Sequence, residues 1–163
     1  MSAGMSPQVK IVFEIERDED GYPPEKYESI WASDLGGNLY KIDNIPFFVR
    51  GVSCEDVVTA EICDGELRFQ KVVGRSENST FRLIIYDLNE VEAVRARMRA
   101  LGCDVEGTGI LGLLAINVPR MAMLETMNFI KSGANQQLWD YEEGCLRTER
   151  CGVRHLFRRW SVR

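Results

Sequence analysis

The chain of 163 residues holds a single histidine, His155, and its five cysteines include no C-x-x-C pair. One histidine leaves histidine-based acid–base or triad chemistry with one candidate, and it stands in an arginine-rich terminal stretch. Cys54, Cys63, Cys103, Cys145 and Cys151 are odd in number and scattered, which reads as reduced thiols rather than a disulfide framework. Cys145, Cys151 and His155 fall at C-x5-C-x3-H, yet a zinc site wants four ligands and a closer cysteine pair. No metal is expected. No run approaches the roughly 18 apolar residues of a spanning helix, and Met1 to Gln8 has neither a charged n-region nor an apolar h-region. The expectation is a cytoplasmic protein with no membrane partner.

What is present is ordinary globular composition: 45% hydrophobic and 28% charged residues, enough apolar content to fold alone and too much for a disordered chain. The net charge of −5 conceals an asymmetry. Arg147, Arg150, Arg154, Arg158, Arg159 and Arg163 against Glu149 give residues 145–163 a charge of +5, which leaves the other 144 residues at −10. An acidic body repels nucleic acid and acidic membranes and attracts basic partners. The plain reading of the tail is that its arginines pair with that body.

Along the chain, VKIVFEIE (9–16) alternates as a half-buried strand does, and the acidic loop RDEDGYPP follows it. YESIWAS and LYKID form a predicted hairpin about Leu35–Asn38, and VVTAEIC and ELRFQKVV another about Asp64-Gly65. Residues 1–76 therefore read as a strand-rich subdomain, a small β-barrel-like or bent antiparallel sheet. The rhythm then changes. TFRLIIYD (80–87) is a strand, and Val91, Val94, Met98 and Leu101 recur at helical spacing up to Gly102, with Asp87 or Asn89 as the cap. Cys103–Glu106 and LLAINV (113–118) are strands, Pro119 opens a second helix ending near Gly133, and Trp139–Tyr141 is the last strand. Residues 77–146 thus form a ferredoxin-like βαββαβ unit, followed by a basic tail at 147–163, and the fold class is α+β.

Few patterns carry chemistry. Gly107-Thr-Gly-Ile-Leu-Gly112 matches GxGxxG, but a dinucleotide site needs a helix to start within the glycines, and LLAINV is strand-like. Gly51-Val-Ser53-Cys-Glu55 has Glu where a nucleophile elbow needs Gly, and is read as a turn. Asp18, Glu19 and Asp20 lack the spaced pattern of a calcium loop and read as a solvated acidic loop. No catalytic residue and no cofactor is expected.

The stretches DGYPP, DNIPFFVRG with Ser53 and Asp56 behind it, and WDYEEG, taken with DGELRFQKVV and STFRLIIYD, resemble the bacterial family of domain of unknown function 4265 from about Val9 to Leu146. Nothing beyond Leu146 shares the likeness. The resemblance implies an immunity protein that neutralises a cognate antibacterial toxin in the producer's cytoplasm, and it carries over no catalytic residue. The residues agree with a protein-binding role. Asp18, Glu19, Asp20, Tyr22 and Glu25 group acid beside an aromatic anchor, suited to a basic partner such as a nuclease or other nucleic-acid-modifying toxin. The alternative is a small-molecule or RNA-binding regulatory module using the ferredoxin-like sheet, with Phe81, Tyr86, Trp139 and Tyr141 as its aromatics, although the acidic body disfavours nucleic acid. An enzyme would need a pocket around Asp43, Asn44, Arg50 and Ser53, whose simpler role is to satisfy an irregular buried connection.

Overall fold

The computed structural model describes residues 4–147. It is a mixed α+β structure with a five-stranded sheet, a four-stranded sheet and two helices, and it divides into two compact units after Ser76. The first unit holds β1 (Gln8–Glu14), β2 (Tyr27–Gly36), β3 (Leu39–Ile42), β4 (Val57–Cys63) and β5 (Glu66–Gly74). Consecutive strands pair antiparallel, and β1 also meets β5 in a short parallel pairing, Ile11 with Leu67 and Val12 with Arg68. Alternation decides which side is buried. Ile11 and Phe13 from β1, Ile30 and Ala32 from β2, Ile42 from β3 and Val58 and Ala60 from β4 form the core, with Phe69 stacked on Phe13 at 4.6 Å.

The second unit holds β6 (Ser79–Ile85), α1 (Val91–Ala100), β7 (Asp104–Gly107), β8 (Leu113–Val118), α2 (Met123–Asn135) and β9 (Trp139–Cys145). Its sheet order is β7-β8-β6-β9, antiparallel throughout. One face contributes Phe81, Leu83, Ile85, Val105, Leu114, Ile116 and Val118, and these pack with Val94 and Met98 of α1 and Ile130 of α2. The alternate positions Thr80, Arg82, Ala115 and Asn117 are buried too. Arg82 is 1% exposed and pairs with Glu142 at 3.3 Å. Gly144 makes that pair possible, because a Cβ there would lie 2.8 Å from the guanidinium carbon.

The helix expected to end near Gly133 runs to Asn135, and Gln137 (φ 59°) closes it, with Leu138 N–H donating to Gly133 O at 2.9 Å and Gln137 N–H to Ala134 O at 3.1 Å. This is a Schellman closure with glutamine where glycine is commonest. Gly133 is kept small by Trp139, whose indole N–H donates to Ile130 O at 2.9 Å and whose ring would lie 1.8 Å from an added Cβ.

Gly133→Ala is accordingly expected to lower the unfolding free energy by about 2 kcal/mol or more, although alanine favours a helix over glycine by about 1 kcal/mol. Urea denaturation checks this, and a variant as stable as the wild type would contradict the packing described.

Candidate functional site

The acidic loop spans the gap between β1 and β2, where Ile15 N–H donates to Lys26 O at 2.9 Å. Its backbone needs partners, and two side chains supply them. The Asp18 carboxylate accepts the N–H groups of Asp20 and Tyr22, each at 2.9 Å, while Asp18 N–H donates to Tyr22 O at 2.8 Å. The Arg17 guanidinium donates to Gly21 O at 2.8 Å and to Pro23 O at 3.0 Å. The Tyr22–Pro23 peptide is cis. Of the five residues singled out from sequence, Glu19, Asp20 and Glu25 are exposed, Tyr22 is half-buried, and half-buried Asp18 turns its carboxylate to the loop's own backbone.

Of the residues considered for an enzyme, Asn44 is half-buried and Arg50 exposed, and Asp43 and Ser53 take separate structural tasks. Asp43 is exposed and accepts from Gln8 Nε2 at 2.6 Å and Ser33 Oγ at 2.7 Å. Ser53 is fully buried and donates its N–H to Asp56 Oδ2 at 3.0 Å, while Asp56 Oδ1 accepts Ser76 N–H at 2.8 Å. Glu28 was not singled out by the sequence, yet its carboxylate accepts three successive N–H groups, from Phe47 (2.6 Å), Phe48 (2.9 Å) and Val49 (2.9 Å). The signal available was its parity: Glu28 shares the inward side of β2 with Ile30 and Ala32, where a carboxylate needs donors.

The other motifs resolve plainly. The GxGxxG run joins β7 to β8, and Gly112 (φ 79°) gives its carbonyl to Ile85 N–H at 2.9 Å, so the run leads into a strand and starts no helix. Among the proposed RNA-reading aromatics, Phe81 and Trp139 are core residues beneath the helices, Tyr141 is partly buried against them, and Tyr86 is exposed. Tyr86, Leu88, Ile110, Leu111 and Leu138 are exposed apolar residues at the strand ends of this sheet, where Tyr86 N–H donates to Leu138 O at 3.2 Å. Ser53–Asp56 is a turn, with Glu55 at φ 67°. Cys54, Cys103 and Cys145 are buried free thiols and Cys63 an exposed one. Burial pushes the Cys103 thiol up, against a hydroxyl contact from Thr126 at 3.3 Å. Among the described residues no group of three or more His, Cys, Asp or Glu could hold a metal ion, and Cys151, His155 and the arginines beyond Arg147 lie outside the described residues. No helix among them is long and apolar enough to cross a membrane.

A family model described as Domain of unknown function (DUF4265) matches residues 28–141. The chain belongs to that family. This DUF4265 chain carries its DNIPFFVRG connection inside the matched span and its acidic loop just before it. No curated protein matches it. A crystal structure titled as a hypothetical protein from Neisseria gonorrhoeae is similar at 18% identity and a TM-score of 0.70, covering 90% of this chain and 99% of that one. At that identity the likeness concerns the fold.

Glu28→Gln keeps the shape and removes the charge, so it is expected to cost about 2 kcal/mol, the range for hydrogen bonds to a charged acceptor. Glu25→Gln at an exposed site should stay within about 0.5 kcal/mol of wild type. Thermal unfolding of the two variants compares them directly.

Proposed function

We propose that this DUF4265 protein is a non-catalytic, protein-binding immunity protein that neutralises a cognate antibacterial toxin of basic surface in the producer's cytoplasm. The observation that carries the reading is the division of labour in the acidic loop. Arg17 and Asp18 hold the backbone, and Glu19, Asp20 and Glu25 are exposed. A loop ordered before contact loses less entropy on docking. Acid concentrated on a body of −10 speeds capture of a basic partner and rejects acidic ones. A barrel-like first unit and a ferredoxin-like second unit, the latter suggested by the strand order β7-β8-β6-β9, fit this reading as scaffolds without stating an activity. The rival RNA-binding reading is weakened by the burial of Phe81 and Trp139.

The test uses the product of the gene that neighbours this chain's own. Co-expression of the wild-type chain is expected to protect cells and to yield a complex. The triple variant Glu19→Lys, Asp20→Lys and Glu25→Lys should slow association at least about tenfold at low salt, with thermal stability retained. Absence of both complex and protection with the wild type would refute the proposal.

A further inference from the structure

We propose that residues 148–163 of this chain dock on the apolar strand-end patch of the second unit, a contact made within one molecule. Three segments build the patch at one end of the four-stranded sheet: 86–90 after β6, 107–112 between β7 and β8, and 135–138 before β9. The backbone ties them together, since Gly112 O accepts from Ile85 N–H at 2.9 Å and Leu138 O accepts from Tyr86 N–H at 3.2 Å. Leu88 lies over the turn, its Cδ2 3.3 Å from where a Cβ on Gly112 would stand. Tyr86, Leu88, Ile110 and Leu138 are about half exposed, and Leu111 is 78% exposed. Apolar residues scattered singly over a surface need no explanation, but five drawn together at one sheet end mark a contact site.

Charge and reach choose the occupant. The three segments carry Asp87 and Glu90 and neither lysine nor arginine. A second copy would set this acid against itself, so the patch suits a segment that is both apolar and basic. Residues 148–163, which lie outside the described residues, have that composition: Leu156, Phe157 and Trp160 stand among Arg154, Arg158 and Arg159. Reach agrees. Arg147 is fixed at the opposite end of the sheet, where its N–H donates to Ser79 Oγ at 2.8 Å and Cys145 pairs with Thr80. The strand β6 between the two ends is about 20 Å long, and the chain from Arg147 to Leu156 spans at most about 30 Å. The way back follows the edge strand β9, whose Asp140 and Glu143 offer acid to Arg150 and Arg154. A segment tethered this closely meets the patch at an effective concentration of about millimolar, which a separate basic protein does not reach. This inference does not depend on the toxin-binding reading.

Photo-cross-linking of the full chain at low micromolar concentration tests it, with the substitution Trp160→p-benzoylphenylalanine as the probe. Mass spectrometry is expected to find cross-links within one chain to residues 86–90, 107–112 or 138. Leu111→Asp is expected to lower their yield at least about tenfold, with an unchanged circular dichroism spectrum and melting temperature. Cross-links confined to other segments, cross-links formed only between two copies, or a yield indifferent to Leu111→Asp would each overturn the proposal.

Discussion

Three successive amide N–H groups converge on the Glu28 carboxylate, and the first unit depends on that convergence. The connection from Asp43 to Asp56 contains no regular element, so its polar backbone has no ladder to join. Glu28 takes the N–H groups in its middle. Asp56 takes Ser53 N–H at its end, and Ile42 N–H donates to Asp56 O while Glu55 N–H donates to Ile42 O, stitching the connection back to β3. Only then can β4 enter beside β3, where Tyr40 opposes Val58. The bonds to the Glu28 and Asp56 carboxylates are charge-assisted, the stronger kind in a partly dry setting.

The second unit relies on a different exclusion, that of side-chain volume. Trp139 needs the missing Cβ of Gly133, and Arg82 needs the missing Cβ of Gly144. The Arg82–Glu142 pair is nearly dry, so its net contribution to stability is small, but removing either partner would strip a buried charge of this pairing. Such a pair selects one alignment of β6 and β9, because a slip of one residue would carry Arg82 away from Glu142 and turn it to the apolar face.

Periodicity made the strands and helices legible, since Ile11 and Phe13, or Val94 and Met98, repeat at the spacing of the faces they bury. What periodicity could not supply was the identity of long-range partners. Glu28 meets Phe47 across 19 positions and Arg82 meets Glu142 across 60, and no local pattern links them. Gly133 marks the neighbourhood of the helix end, but its constraint, the Trp139 ring, comes from the following strand and has no local signature. DNIPFFVRG and WDYEEG stood out as distinctive before their reasons were visible, and those reasons are the amide cluster on Glu28 and the volume and charge needs of Trp139, Glu142 and Gly144. In the acidic loop the sequence placed the acids together, but only coordinates separate Asp18, which holds the turn, from Glu19, Asp20 and Glu25, which are exposed.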